Sequence, residues 1–95
     1  MEIPHIDFKL GQVVITPGAL EALRVSGESP WVFLVRHVAC DWGEVDQEDK
    51  RLNDAALDDG GRLLSAYRTT KGEKVWVITE AGPRSSTCIL TPEEY

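Results

Sequence analysis

Three residues of this 95-residue chain have types and a spacing that could support chemistry, namely His37, Cys40 and Asp41. They fall at the end of a predicted helix, where side chains three and four positions apart share a face. The Asp41 carboxylate could orient the His37 imidazole and raise its pKa, as in a general base, and Cys40 could act as a nucleophile. The alternative interpretation is a helix-terminal histidine beside an aspartate that begins the next turn.

The same histidine could belong to a small, toxin-like enzyme that cleaves RNA. In this hypothesis His37 is the general base, and a carboxylate, a phenol and two guanidinium groups complete the site. The residues of this set are His37, Asp41, Arg62, Tyr67 and Arg84. Aromatic residues on the predicted sheet could also stack on bases, although ordinary cross-strand packing explains them equally well.

Residues that bind metals or cofactors do not form a recognisable pattern. The acids at positions 41, 44, 46, 48 and 49 lack the spacing of a calcium-binding loop. Zinc ligands would have to come from a scattered set, His5, His37, Cys40 and Cys88. The sequence also lacks a glycine-rich phosphate loop and a nucleophile elbow. We therefore expect neither a metal nor a cofactor, and we expect both cysteines to be reduced thiols.

Acidic residues are concentrated in one segment. The chain has 16 Asp and Glu against 10 Lys and Arg, a net charge of −6, and residues 41–59 hold eight of the acids and two of the bases. The rest of the chain is neutral, so this segment carries the whole imbalance. Nucleic acids and anionic membranes attract basic surfaces, so we expect neither as a direct partner. An acidic segment suits a basic protein surface instead.

The candidates for binding such a partner are Asp41, Trp42, Glu44, Asp54, Asp58 and Asp59. Trp42 has two interpretations, as a core residue at the end of a helix or as an exposed anchor. Asp58 and Asp59 are the informative pair, because they fall in the last turn of a predicted helix, where negative charge is unfavourable. Either a nearby cation (Lys50, Arg51 or Arg62) neutralises them, or they serve a partner.

The segments that must position these residues begin with a strand and two helices. Residues 11–16 form a short β-branched run that predicts a strand. Thr16-Pro17 and Ser29-Pro30 are typical N-cap and first-turn pairs, so each predicts a helix start. The first helix should end near Gly27, and the second near Gly43.

A third helix should carry most of the acidic segment. Asp46 is its predicted N-cap, with Asp49 as a carboxylate variant of the capping box, and Gly60 is its predicted stop. Its apolar stripe is narrow and consists of Leu52, Ala55, Ala56 and Leu57. Most of this helix should therefore face solvent or a partner.

From residue 62 the apolar side chains alternate, which predicts strands over residues 63–68, 74–80 and 86–91. A two-residue loop between the first two strands would set Tyr67 opposite Trp76, whereas a three-residue loop with a glycine bulge would set Tyr67 opposite Val75. Both registers are open. We predict one α+β domain over residues 1–95, with a short N-terminal strand, three helices and a three-stranded antiparallel meander.

The composition is typical of a globular domain, with 42 % apolar and 27 % charged residues. The longest apolar run, residues 31–35, is far shorter than the roughly 20 residues that cross a membrane. The first seven residues have neither a basic region nor an apolar stretch. We therefore expect no secretory signal and a cytoplasmic location.

Several motifs together resemble a known family. They are His37-x3-Asp41-Trp42-Gly43, Glu48-Asp49, Asn53, RLLSAY at residues 62–67, WVITEA at 76–81 and TPEEY at 91–95. The family consists of short bacterial proteins that appear as plasmid-related or hypothetical proteins, some of them labelled as a type I restriction methyltransferase subunit. The chain has neither the glycine-rich cofactor loop nor the Asn-Pro-Pro-Tyr-type motif of a methyltransferase. The resemblance implies a bacterial, mobile-element-associated setting and favours a small inhibitor or regulator.

Two hypotheses follow from these observations. The first is a non-enzymatic interaction module whose acidic segment docks on a basic surface of a nucleic-acid-handling or defence protein, with carboxylates in place of phosphates. The second is the RNA-cleaving enzyme with His37 as its base. The sequence leaves the oligomeric state open.

Overall fold

The computed structural model describes residues 8–95, which form a four-stranded sheet and three helices and so confirm the predicted α+β class. His5 and the start of the chain, to which the zinc-ligand and secretory-signal expectations refer, lie outside the described residues. In chain order the elements are β1 (Gln12–Ile15), α1 (Pro17–Ser26), α2 (Pro30–Val38), α3 (Gln47–Asp59), β2 (Leu63–Arg68), β3 (Lys74–Thr79), β4 (Ser86–Leu90) and a 3-10 turn (Pro92–Glu94).

Local caps determine where the helices start, as predicted. Thr16, Ser29 and Asp46 each accept a hydrogen bond through the side-chain oxygen from a backbone N–H in the first turn of the helix that follows. α1 and α3 end at Gly27 and Gly60, both in the left-handed conformation. The predicted bounds of these two helices are therefore confirmed.

The predicted end of α2 near Gly43 is wrong, because the helix stops at Val38. Cys40 takes the left-handed position that closes the helix, with φ +63°. The N–H of Asp41 then donates to the carbonyl of Arg36 at 2.9 Å, which is the long-range hydrogen bond of a Schellman motif. Glycine usually fills the left-handed position, so a cysteine there gives no sequence signal for the end of a helix.

The sheet has the strand order β1-β4-β3-β2, and its last three strands are the predicted antiparallel meander. The N-terminal strand is not a separate element. β1 pairs with β4 in parallel, so the sheet is mixed, with β1 at one edge and β2 at the other. Tyr67 lies opposite Val75, which selects the three-residue loop with a left-handed Gly72.

The two faces of the sheet differ in their cover. The inner face, which α1 and α2 cover, consists of Leu63, Ser65, Tyr67, Val75, Val77, Thr79, Thr87 and Ile89, all buried. The outer face carries Leu64, Ala66, Trp76, Ile78 and Cys88, all half-buried. Alternate side chains of a strand point to opposite faces, so the period of 2 in the sequence already separates the two sets.

The C-terminal turn is fastened to the start of α1. The Glu94 carboxylate accepts hydrogen bonds from the Thr16 hydroxyl (2.5 Å) and the Gly18 N–H (2.9 Å). The hydrogen bond from Thr16 makes the largest contribution to the pKa of Glu94, which it lowers to about 2 together with the hydrogen bonds from the Thr91 N–H (3.0 Å) and the Gly18 N–H. Tyr95 follows, and its ring lies edge-on to Trp76 with 5.5 Å between the ring centroids. The turn therefore covers part of the outer face at one end.

The β2 edge of the sheet is closed by side-chain and loop hydrogen bonds. The Ala66 N–H donates to the Trp42 carbonyl (3.0 Å), and the Glu44 N–H donates to the Ala66 carbonyl (2.7 Å). Two residues earlier on the same strand, the Asn53 side-chain amide donates to the Leu64 carbonyl (2.7 Å) and accepts from the Leu64 N–H (3.0 Å). Unpaired strand edges promote aggregation, so these four bonds protect β2.

The position of Asn53 revises the predicted apolar stripe of α3. Leu52 is 57 % exposed and Ala55 is exposed, whereas Asn53 and Ala56 are the buried residues of the helix. The spacing of apolar residues predicts that Leu52 is buried, because this pattern does not include a polar side chain that forms hydrogen bonds with a strand edge. α3 is therefore held beside β2 by the two hydrogen bonds between Asn53 and Leu64 and by the packing of Ala56 in the cluster that contains Leu63.

We expect Asn53→Ala to lower the free energy of unfolding by about 2 kcal/mol, because two largely buried hydrogen bonds are lost at about 1 kcal/mol each. Asn53→Asp should cost at least as much at pH 7, since a carboxylate then faces the Leu64 carbonyl. Urea unfolding measures both, and Leu52→Ala is the exposed control with little expected effect. An Asn53→Asp variant as stable as the parent at pH 7 would contradict the donor and acceptor roles described.

Candidate functional site

His37 lies in the centre of a buried chain of hydrogen bonds. Its side chain is fully buried, with Nδ1 2.6 Å from Ser65 Oγ and Nε2 2.9 Å from Thr79 Oγ1. Thr79 Oγ1 is in turn 2.7 Å from Thr87 Oγ1, which donates to the Leu10 carbonyl at 2.7 Å. We call these five residues the His37 relay. They connect α2, three strands and the segment before β1.

The direction of every hydrogen bond in the His37 relay follows from its last member. A carbonyl only accepts, so the Thr87 hydroxyl proton is used on Leu10, and Thr87 Oγ1 must accept from Thr79. Thr79 Oγ1 then accepts from His37 Nε2–H, which leaves Nδ1 of a neutral imidazole to accept from the Ser65 hydroxyl. The arrangement therefore suits a neutral histidine protonated on Nε2.

The electrostatics favour the same neutral state. Burial lowers the pKa of His37 from its ordinary value of 6.5 to about 4, and the positive charge of Arg84 contributes in the same direction. The predicted rise of this pKa through Asp41 is wrong. Asp41 lies beyond the end of α2, and its carboxylate pairs with Arg36 Nε at 2.7 Å. That hydrogen bond lowers the pKa of Asp41.

The residues of the RNA-cleaving hypothesis do not meet at an accessible site. Tyr67 is 1 % exposed and donates its hydroxyl to the Asp41 carbonyl at 2.6 Å, and burial raises its pKa. Arg62 is at the surface, where it donates to the Tyr95 hydroxyl at 2.5 Å. Cys40 sits at the left-handed residue after α2, not on the helix face of His37. His37 and Tyr67 are interior residues whose polar side-chain atoms bond to other protein groups, so neither is placed to contact an RNA substrate.

Arg84 is a structural cation. It is 8 % exposed, and its guanidinium donates to the carbonyls of Ala56 (2.7 Å) and Gly61 (2.8 Å) at the end of α3. Positive charge at the C-terminal end of a helix is favourable, so Arg84 stabilises this end of α3 through its carbonyl groups, without an ion pair to Asp58 or Asp59 in the described chain. Two of the three predicted neutralising cations are engaged elsewhere, since Arg51 pairs with Glu48 and Arg62 bonds to Tyr95. The third, Lys50, forms no ion pair with Asp58 or Asp59 in the described chain.

Trp42 is a core residue, which corrects its place among the candidate partner-binding residues. Its side chain is 5 % exposed, and its ring lies 5.8 Å from that of His37. The indole N–H donates to Asp54 Oδ1 at 3.1 Å. Asp54 thus has a structural role, although its side chain remains exposed at the surface.

The other candidate acids differ in how far their charge is compensated. Asp41 and Glu44 are in ion pairs with Arg36 and Arg68, the latter at 2.9 Å. Asp59 accepts a hydrogen bond from the Gly61 N–H, and within residues 8–95 Asp58 has no hydrogen-bond or ion-pair partner. The carboxylates of the α3 region without a cationic partner in the described chain are Asp46, Asp49, Asp54, Asp58 and Asp59.

A groove runs between α3 and the outer face of the sheet. It consists of two adjoining depressions of about 270 Å³ each, which share Asp49 and Leu64. The first is lined by Glu44, Val45, Asp46, Asp49, Leu64, Ala66, Tyr67, Lys74 and Trp76. The second is lined by Asp49, Leu52, Asn53, Ala56, Asp59, Gly61, Arg62 and Leu64. We refer to both together as the α3 groove.

Sequence reasoning missed the polar partners of His37 and the α3 groove. Ser65, Thr79 and Thr87 occupy inward positions on three strands, where the alternating pattern otherwise has apolar residues. Because buried hydroxyl groups need hydrogen-bond partners, these three positions could have predicted a buried polar cluster. The α3 groove depends on the angle at which a helix lies beside a sheet, which no local pattern encodes.

Comparison with protein-family models, with curated proteins and with solved structures finds no match for this chain. Within residues 8–95, no group of three or more His, Cys, Asp and Glu side chains is placed to hold a metal ion.

We expect the stability of this protein to fall as the pH drops from 6.5 to 4. The unfolded chain takes up a proton on His37 below its ordinary pKa of 6.5, whereas the folded state resists protonation until about 4. The loss amounts to about 3 kcal/mol across this interval, and this contribution is fully present above pH 6.5.

His37→Gln tests this expectation, because a neutral amide retains one donor and one acceptor. Urea unfolding at pH 7 and pH 4 measures the pH-dependent change in each protein. The variant should lose about 3 kcal/mol less than the parent between the two pH values, while Glu94 and the other acids titrate in both. Equal losses in the two proteins would contradict a neutral, buried His37.

Proposed function

We propose that this chain is a non-enzymatic protein-interaction module that docks the acidic surface of α3 on a basic surface of a protein partner. The observation that carries the proposal is a row of five carboxylates in the α3 region without cationic partners in the described chain: Asp46, Asp49, Asp54, Asp58 and Asp59. The exposed acids Glu21, Asp41, Glu44 and Glu48 each pair with an arginine, and the exposed acids Glu73, Glu80 and Glu93, which also have no ion pair in the described chain, lie outside this row. A protein surface that supplies the missing cations would complete this row.

The uncompensated charges are unfavourable for the fold itself. Asp54 and Asp58 are four residues apart on one helix, where like charges repel by some tenths of a kcal/mol. Asp58 also lies in the last turn, where the helix dipole disfavours it. A charge that lowers stability and satisfies no internal contact supports a role in recognition. Charge complementarity of this kind increases the association rate and the specificity more than the affinity.

The nature of the partner follows from the sign of the surface. A row of carboxylates repels nucleic acid and attracts proteins whose surfaces bind phosphates, so we propose a nucleic-acid-handling or defence protein as the partner. A cytoplasmic, bacterial and mobile-element-associated setting belongs to the same proposal and rests on the family resemblance. In the described part of the chain, no helix combines the length and apolar character needed to cross a bilayer.

An RNA-cleaving activity finds no support in this geometry. His37 is fully buried and its two ring nitrogens are occupied by hydroxyl groups. Arg84 is committed to carbonyl groups at the end of α3. Neither residue is placed to contact a phosphate.

Asp58→Lys is the sharpest test of the proposal. Reversal of this charge should weaken partner binding roughly fivefold or more, because a favourable charge pair becomes a repulsive one. It should also raise the free energy of unfolding by some tenths of a kcal/mol, because lysine suits the C-terminal end of a helix. Reduced binding together with increased stability cannot result from unfolding.

Glu21→Lys is the matched control, since it makes the same change of charge at an exposed acid of α1, a helix that contacts β4 whereas α3 contacts β2. The measurement is capture of the partner from the source cell by the tagged protein and both variants, repeated at about 0.5 M salt, which screens surface charges. Equal capture by the parent and Asp58→Lys, or capture that salt leaves unchanged, would refute the acidic-surface proposal.

A further inference from the structure

The α3 groove has chemically different walls. On the α3 side, Asp46, Asp49 and Asp59 line it without a cationic partner in the described residues. On the sheet side, the floor is made by the half-buried Leu64, Ala66 and Trp76 of the outer face. The α3 groove is therefore acidic along one wall and apolar along the other.

Among the described residues that line the α3 groove, the cations lie at the two ends of the sheet wall. Lys74 lines the first depression and Arg62 the second, where Arg62 bonds to Tyr95. Glu44, at the mouth of the first depression, is already paired with Arg68. Between these ends, the charge that faces the α3 groove is negative. An occupant must therefore present positive groups toward α3 and apolar groups toward the sheet.

The shape of the α3 groove suits successive side chains of one peptide segment. It consists of two adjoining depressions of about 270 Å³ each, which meet at Asp49 and Leu64. The two adjoining depressions would receive two successive apolar side chains of one segment. Leu52, 57 % exposed, provides additional apolar surface at the second depression.

Trp76 has the properties of a binding anchor. Its ring is supported on one side by the Tyr95 ring, which Arg62 holds in turn. Within residues 8–95 its indole N–H makes no hydrogen bond, so it is available to a carbonyl of an incoming chain. Tryptophan contributes strongly to binding when it is well supported and near the centre of an interface.

We propose that the α3 groove seats a basic amphipathic segment of the protein partner, with lysine or arginine side chains on Asp46, Asp49 and Asp59 and apolar side chains on Trp76, Ala66 and Leu64. This inference rests on the proposed function and deepens it, because it assigns the acidic surface an adjoining apolar seat. It distinguishes a groove that receives a segment from a flat surface that attracts any basic protein.

The probe is a fluorescein-labelled peptide of leucine and lysine, about 14 residues or roughly four helical turns long, with leucines spaced to form one apolar face. Two peptides of equal length are the ligand controls, one with serine in place of leucine and one with glutamate in place of lysine. Fluorescence anisotropy measures binding to the full chain. The leucine-lysine peptide should bind at least tenfold more tightly than either control.

Trp76→Ala should weaken binding of the leucine-lysine peptide at least tenfold. Trp31→Ala is its matched control, because Trp31 is a 58 % exposed tryptophan on α2, across the sheet from the α3 groove, and should change binding less than twofold. Ala66→Lys is a second groove variant that both fills the floor and repels the peptide. Thermal melting identifies any variant that fails to fold. If Trp76→Ala does not fold, the binding measured for Ala66→Lys tests the groove in its place.

The outcomes separate the groove from the acidic surface. Loss of binding in the groove variants and in Asp58→Lys, with Trp31→Ala and Glu21→Lys unchanged, would support both proposals. Loss in Asp58→Lys alone would overturn the groove and leave the acidic surface standing. Binding unchanged in every variant, or equal binding of the glutamate peptide, would overturn both.

Discussion

The His37 relay is the interaction on which the rest of the fold depends. It joins α2 to β2, β3, β4 and the segment before β1 through hydrogen bonds between fully or largely buried groups. A buried polar group without a partner costs about 1 to 3 kcal/mol, so a shift of any one of these segments would leave several groups unsatisfied. The register of the strands, with Thr79 directly opposite Thr87, places the hydroxyls in line. The His37 relay therefore favours one alignment of α2 on the sheet. Hydrogen bonds depend on direction more strongly than apolar contacts do, so apolar packing alone would tolerate more alternative alignments.

Once α2 is held in this way, the path of the following chain is constrained. The helix stops one residue after His37, the chain turns at Cys40, and Trp42 enters the core beside the imidazole. Residues 42–44 then pair with β2, where Gly43 is required because a Cβ there would lie 2.0 Å from the Ala66 carbonyl oxygen. Asn53 completes the same edge. The placement of α3, and hence the existence of the α3 groove, follows from these contacts.

The acids of α3 differ in whether their side chains accept hydrogen bonds within the protein. Asp46 caps the helix, Asp54 holds the Trp42 indole, and Asp59 accepts from the turn that follows. Asp58 does none of this. Arg84, from the β3–β4 connection, compensates the helix end through backbone carbonyls and leaves the carboxylates unneutralised. Asp58 is therefore the acid at which a change of charge removes no structural contact, so a reversal at Asp58 separates an effect on partner binding from an effect on stability, whereas the proposed partner contacts of Asp46 and Asp59 would involve residues that also support the helix ends.

Features whose causes lie within a few residues of each other could be predicted from the amino-acid sequence. They are the caps at Thr16, Ser29 and Asp46, the glycine stops of α1 and α3, the three antiparallel strands and the acidic segment, and each depends on a hydrogen bond, a period or a composition that is local. The partners of His37, which lie 28 and 42 positions away, the end of α2 at Val38, and the roles of Asn53 and Arg84 became apparent only in the folded chain. Those outcomes depend on which buried polar groups meet across the core, and distance along the chain carries no information about that meeting.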